Sequence, residues 1–513
     1  MRLSPLFRAG AAALTAFGAA NCADPPTTVP TSPTGTAPPV RHTDSTGTHH
    51  SHWRYGHLTW APRPDLGPRT IQFTYRNAFR RSGYGGTAPD GLAAVGDIIV
   101  EYIGATGLDW GDGSAATGTL RYIVTSINPT GDWLFVEALN PGTDTPGLIH
   151  TYPANGAYTA TSFSCCRIGG LQNAGFFYGA STIVTVGNGN SSPISNIVPI
   201  VNVAQGGVRS WTLPATDANG DRLRFRLADA TETQGGDQPP GLTINPTSGV
   251  LSWNTAGLPL GLYWTQQTVE ELNPNGSVKG KVTVDYLINL QQQVAQNDAP
   301  VFSTPACNSS RSVLVGRPLS LQVRATDPNA GDVVSLLVAG APPGATFNAT
   351  AGNPATGTFA WTPLTSQSGP RIVTFSATDD NAAQTLCSVT IVASFQMDVW
   401  PGNISLARTA SVWVLVLSTA DFDARNIDLA SARLGNAVGT DTPMLRRPDN
   451  SFYFSERDFN NDGRPDRALF FSVPAMRANG DIAVGQPELV LTGVSSVTGQ
   501  FRGVSRVMPT ITP

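Results

Sequence analysis

Ala215-Thr-Asp-Ala-Asn-Gly-Asp221 is written a second time in this chain, as Ala325-Thr-Asp-Pro-Asn-Ala-Gly-Asp332. Each copy is followed by a Pro-Pro-Gly turn (Pro239-Pro240-Gly241, Pro342-Pro343-Gly344) and then by Gly-x-x-x-Trp (Gly249 to Trp253, Gly357 to Trp361). Three landmarks in one order define an internal repeat. Within it, apolar and polar residues alternate, as in Leu319-Ser-Leu-Gln-Val-Arg-Ala325, the period of a strand with one face in a core. Tandem copies with this pattern predict an all-β chain of β-sandwiches in an extended array.

Composition agrees. The chain has 513 residues, enough for about three to four domains. Charged residues are 13%, while Gly (53) and Pro (40) are plentiful. Runs such as Gly96-Asp-Ile-Ile-Val-Glu-Tyr-Ile103 and Ser411-Val-Trp-Val-Leu-Val-Leu417 favour β-branched and aromatic residues between turn residues. The formal net charge is −4, and Lys occurs only as Lys279 and Lys281. With no basic patch to neutralise phosphates, a nucleic-acid partner is excluded.

The N-terminus reads as an export signal over residues 1–23, with Arg2 and Arg8 before an apolar stretch and Gly18-Ala-Ala20 as a small-residue cleavage site. That stretch is shorter than the roughly 20 residues a spanning helix needs, and no transmembrane span is expected elsewhere. Cys22 is an alternative lipid anchor. Residues 24–50 form a Pro/Thr-rich linker with no core-forming pattern. The remaining divisions are 51–203, the two repeats at 204–296 and 297–394, and a last unit at 395–513. Export implies an oxidising compartment, and a secreted or cell-surface location. Cys307 and Cys387 sit near the start and near the last strands of the second repeat, where a sandwich brings terminal strands together, so a disulfide is expected. The neighbours Cys165 and Cys166 could form a strained ring, stay reduced or bridge to another chain.

Asp109-Trp-Gly-Asp-Gly113, His150-Thr-Tyr152 and Gly156-Ala-Tyr158 resemble, in order and spacing, the motifs of the polycystic-kidney-disease (PKD) type β-sandwich. The repeats resemble cadherin-like, Ig-like modules of secreted bacterial surface proteins. The junction Asn297-Asp-Ala-Pro-Val-Phe302 is similar to the cadherin interdomain signature. The last unit, with Met397-Asp-Val-Trp-Pro-Gly402 and Asp458-Phe-Asn-Asn-Asp-Gly-Arg-Pro-Asp466, resembles a C-terminal β-domain of such proteins. These resemblances imply β-sandwich architecture and, for cadherin-like modules, calcium at the joints.

Calcium takes about six to eight hard oxygens. Asp458, Asn460, Asp462 and Asp466, with the Arg464 carbonyl, stand at alternating positions on a loop bent at Gly463, the spacing of an EF-hand-type loop without its final Glu. The other reading is a loop whose side chains cap their own backbone. Asp217, Asn219 and Asp221, and likewise Asp327, Asn329 and Asp332, could supply oxygens at module junctions, helped by Asp298, Glu270, Asp379 and Asp380; solvated acidic turns are the alternative. His49, His50, His52 and His57 read as a solvated tract sooner than a zinc or copper site. Trp53, Tyr55, Trp60 and Phe73 read as core, with a sugar-stacking platform as the alternative.

There is no His-Glu-x-x-His, no Gly-x-Ser-x-Gly and no phosphate-binding Gly-rich loop, so an enzyme is not expected. The leading function is a calcium-stabilised structural or adhesion protein whose partners are other surface proteins or polysaccharide. A carbohydrate-binding accessory of a secreted enzyme system is the alternative, followed by a hydrolase with its site in 51–203.

Overall fold

The computed structural model describes residues 53–63, 66–102, 107–114, 119–165, 167–173, 175, 177–217, 219–407, 409–436, 441–486, 488–495, 499–506 and 508–510. All belong to one unit, Pro39–Pro513. The export signal, Cys22, the linker, His49, His50, His52 and Cys166 lie outside the described residues. The architecture is all-β. The single α-helix among the described residues, Val473–Asn479, is capped by the Ser472 side chain and stopped at Gly480 with φ +78°. No described helix is long and apolar enough to cross a membrane.

The second repeat shows how the alternation works. In strand Leu319–Thr326, Leu321, Val323 and Ala325 turn inward while Ser320, Gln322 and Arg324 face solvent. This strand lies between Val301–Thr304 and Ala355–Trp361. The facing sheet holds Ser335–Ala339, Gly369–Thr378 and Gln384–Gln396, with Ser309–Leu314 parallel to the last. Phe359, Trp361, Val373, Phe375, Val389 and Ile391 fill the space between. The Cys307–Cys387 disulfide ties the segment before Ser309 to strand Gln384–Gln396.

The first repeat has the same plan. Arg222–Leu227, Gly261–Leu272 and Val278–Gln291 are antiparallel, and Ile200–Ala204 runs parallel to the last. Val208–Thr212, Val250–Asn254 and Leu242–Ile244 form the facing sheet. Here the sheet continues into the preceding unit. From Lys281 onward, one edge of Val278–Gln291 is covered by Phe177–Val186 (Lys281↔Ile183), Trp53–Pro62 (Tyr55↔Tyr286) and Ile200–Ala204 (Ile200↔Leu287). The result is a single 13-stranded sheet with no free edge along that stretch. Val282-Thr-Val-Asp-Tyr-Leu-Ile288 is buried on both faces, so its apolar residues run on without alternating.

Asp285 sits in that run at 0% exposure and takes both arms of the Arg167 guanidinium. Arg167 in turn stacks on Trp264 and Trp53, 4.1 and 5.5 Å from the ring centroids. Trp53, Tyr55, Trp60 and Phe73 are buried, which removes the sugar-platform alternative for them. His57 is buried within strand Trp53–Pro62 and is no part of a solvated tract. Its Nε2 accepts the Ser195 N–H (3.1 Å), so Nδ1 carries the proton and donates to the Thr283 carbonyl (2.9 Å). Burial pushes its pKa down to about 4, keeping the ring neutral. His150 stacks on Trp110 (4.6 Å) with Nε2 2.7 Å from Asp112 Oδ2, a fixed strand residue.

In the last unit, Ser411–Val416 lies between Asp398–Trp400 and Asp466–Ser472, and Glu488–Ser495 pairs with Gly499–Arg506. Strand Gln384–Gln396 of the second repeat continues into it through Phe395↔Gly503.

Candidate metal centres

The repeated loop is built twice from the same parts. In the first copy, Ile194–Ser195 pairs with Ala215–Thr216, and the chain turns at Asp217 immediately afterwards. Asp217 Oδ1 accepts the N–H groups of Asn219 (2.9 Å) and Asp221 (3.0 Å), which fixes the turn. Asn219 Oδ1 accepts the backbone N–H (3.1 Å) and hydroxyl (2.8 Å) of Ser191. Glu271, near the end of strand Gly261–Leu272, receives the Asn190 side-chain amide on Oε1. Asp217, Asp221 and Glu271 each place one oxygen within 4.8 Å of the others, and the Lys279 ammonium pairs with Asp221.

In the second copy, Val301–Thr304 pairs with Leu319–Thr326, and Asp327 follows at once. Asp327 Oδ1 accepts the Asn329 N–H (2.8 Å), and Asn329 Oδ1 accepts the Asp298 N–H (2.9 Å). Asn297 donates its amide to Asp379 (2.8 Å) and Asn381 to Asp332 (3.1 Å). Asp327, Asp332 and Asp379 form the second trio with mutual oxygen distances within 4.8 Å.

Electrostatics mark both places as strained for bare carboxylates. Burial, with repulsion from Asp221, raises Asp217 to about 6. Burial and then the Asp217 charge raise Glu271 to about 9. Asp327 is raised too, by burial and by Asp379, Asp332 and Asp298. The Asp217 and Glu271 carboxyls face one another, yet Asp217 Oδ2 and Glu271 Oε2, as carboxylates, receive no donor, and neither does Asp327 Oδ2. Buried acceptors are normally satisfied. A shared proton or a cation would satisfy these. Hard anionic oxygens with amide donors holding them in place suit calcium and offer nothing to soft metals.

The loop from Asp458 to Asp466 is arranged differently. Asp458 accepts the N–H groups of Asp462 (3.1 Å) and Gly463 (2.8 Å), Asn460 accepts from Asp462 (3.1 Å), and Asp462 accepts from Arg464 (2.9 Å). Gly463 supplies the φ of +85° that the turn requires. Asp466, at 0% exposure, turns inward and takes the N–H groups of Ser418 and Phe459, each at 2.8 Å. The structure therefore does not bring Asp458, Asp462 and Asp466 together as it does the two trios.

Among the helper residues, Glu270 is replaced by its neighbour. Glu270 is engaged by Arg224 (2.7 Å) and Arg226 (2.8 Å), while Glu271, on the opposite face of the strand, enters the trio. Asp379 belongs to the second trio, whereas Asp380 accepts the Val333 N–H (3.3 Å). Asn190, Ser191 and Lys279 were also missed. The visible signal was the second Asn-x-x-Pro, Asn190-Ser-Ser-Pro193, beside Asn297-Asp-Ala-Pro300.

The family model described as "Integrin beta-like protein A-E, N-terminal" matches residues 54–187, and "Putative Ig domain" matches 299–394. The chain is similar to integrin beta-like proteins of Dictyostelium discoideum. It is 28% identical to integrin beta-like protein A over 289 residues, covering 54% of this chain and 14% of that protein. With integrin beta-like protein E it shares 31% identity over 204 residues, 38% of this chain and 10% of the relative. The chain thus spans a small part of the length of these curated relatives. Among solved structures, titin domains I67–I69 cover 62% of the chain and 98% of their own at 13% identity and a TM-score of 0.18. The human desmocollin-1 ectodomain covers 86% and 78% at 13% identity and a TM-score of 0.16. Such scores add nothing to the fold described from the strand pairings. Over 109–158 the matching family model is the integrin beta-like one, and the PKD-type assignment there stays an expectation from its motifs.

Proposed function

We propose that this chain is a non-enzymatic extracellular adhesion or structural protein whose modules are joined through calcium. The observation that carries this is the duplicated trio, in which an entering segment, an Asp-x-Asn turn and an acid at or just past the end of a neighbouring strand converge at both junctions. The likeness to integrin beta-like proteins supports a role at the cell surface. In this reading the divisions of the sequence are kept with one change: the first repeat is taken to begin at the Asn190 junction, because Ile194↔Thr216 parallels Val301↔Thr326. A PKD-type sandwich precedes it, and the Asp458–Asp466 loop is a further calcium candidate once its backbone bonds are exchanged.

Calcium that binds the folded state alone stabilises it by about 2.7 kcal/mol at a hundred times its dissociation constant. The full chain is expected to melt several degrees higher in millimolar calcium than in EDTA, and to resist protease cleavage at the junctions. Identical melting curves in the two buffers would remove the calcium role.

The polysaccharide-accessory reading also gains an observation, at a new place. Trp400 is 63% exposed; it pairs in register with Trp413, and Trp413 with Phe470, so all three rings share the outer sheet face. Centroids are 5.6 and 6.3 Å apart, and Phe459 lies 6.1 Å from Trp413. Open rows of rings such as this suit stacking against sugars. Trp400→Ala is expected to weaken retention on insoluble polysaccharide severalfold with melting unaltered; equal retention of both proteins would end this reading.

A further inference from the structure

The two centres differ in charge. Aligned on Ile194↔Thr216 and Val301↔Thr326, Ser191 stands where the second centre has Asp298, and Glu271 takes the place of Asp379. Lys279, one of only two lysines in the chain, reaches Asp221 from strand Val278–Gln291, and both groups are largely shielded, at 23% and 21% exposure. With every acid counted as ionised, three carboxylates and one ammonium leave the first centre a formal −2. Among the described residues no lysine or arginine forms an ion pair with Asp327, Asp332 or Asp379, whose side-chain donors include the neutral amides of Asn297 and Asn381. The second centre is therefore −3, before Asp298 and Asp380 add to the field.

Each centre carries a separate sign that a ligand belongs in it. Glu271 is 0% and Asp327 is 3% exposed, and each keeps an oxygen with no donor. The Lys279 ammonium engages Asp221 and leaves the facing oxygens of Asp217 and Glu271 unsatisfied.

We propose that the two junctions are unequal divalent-cation sites and that Lys279 sets the inequality. Its ammonium is a tethered cation in the first centre, so Asp327, Asp332 and Asp379 fill first and Asp217, Asp221 and Glu271 fill second. This deepens the calcium reading above and rests on it. It also gives the junctions separate duties. At resting calcium the second junction is locked. The first is held by the shared 13-stranded sheet and its lysine, and tightens only when the ion is abundant.

The probe is calcium alone, titrated calorimetrically into the full chain. Wild type is expected to show a tight and a weak step, and Asp327→Asn to lose the tight one. Lys279→Met removes a like charge a few ångströms from the incoming ion, which is expected to tighten the weak step by about tenfold or more. Lys279→Arg keeps the charge and is expected to leave that step as in wild type, separating charge from any packing effect. A weak step unmoved by Lys279→Met, or a tight step lost in Asp217→Asn, would overturn the proposal while the calcium reading stands. No calcium uptake by either wild type or Lys279→Met would overturn both.

Discussion

Replacing Arg167 with alanine is expected to cost about 3–5 kcal/mol, because it leaves Asp285 charged and unpaired in the centre of the shared sheet. Asp285 has no route to water: its strand is covered on both faces and on both edges. Burial already outweighs the guanidinium and holds the carboxyl up at about 6. Loss of Arg167 also strips the cation from the faces of Trp264 and Trp53, so tryptophan emission reports the same event. The sign with pH follows. A carboxyl whose folded pKa lies above its unfolded value favours the fold when protonated and opposes it as pH rises through the folded pKa. The Arg167→Ala penalty is therefore expected to shrink between pH 7 and pH 4.5, and Arg167→Ala with Asp285→Leu to recover most of it. Urea unfolding followed by tryptophan fluorescence measures all three; a shift below about 1 kcal/mol would mean the pair does not hold the sheet together.

Removing the Cys307–Cys387 disulfide has an effect of similar size at the other end of the repeat pair. The crosslink spans 80 residues, which in the chain-entropy model is worth about 4.5 kcal/mol. Cys387 is fully buried within strand Gln384–Gln396, whose continuation pairs with the last unit through Phe395↔Gly503. Cys307→Ser with Cys387→Ser is expected to lower the melting of the second repeat while the Arg167-dependent transition stays put. Calorimetric scans of the two proteins decide this. Superimposable scans would show that packing alone orders the second repeat.

The alternation in Leu319–Thr326 was legible because one face of that strand meets a core and the other meets water. The same logic fails for Val282 to Ile288. A strand covered on both faces shows no period, and nothing local records that Trp53–Pro62 and Phe177–Val186 lie along its edge. His57 looked peripheral for this reason: its partners are more than a hundred residues away, at Thr283 and Ser195. In the centres, Asp217 and Asp327 could be found from spacing because each organises its own turn. The third carboxylate of the first centre could not, since Glu270 and Glu271 differ only in which face of a strand they occupy, whereas Asp379 of the second stood out beside Asp380. The Asp458–Asp466 loop shows the converse: its spacing suits an ion, while the fold has turned Asp466 inward to hold Ser418 and Phe459.

That the paired trios are ion-binding sites is tested most directly by a crystal structure of the full chain grown in excess calcium. The expected result is an ion with about six to eight oxygen ligands, bound by Asp327, Asp332 and Asp379, with the now undonated oxygen of Asp327 among them. Water alone against that oxygen, with the three carboxylates held only by neighbouring amides, would contradict it.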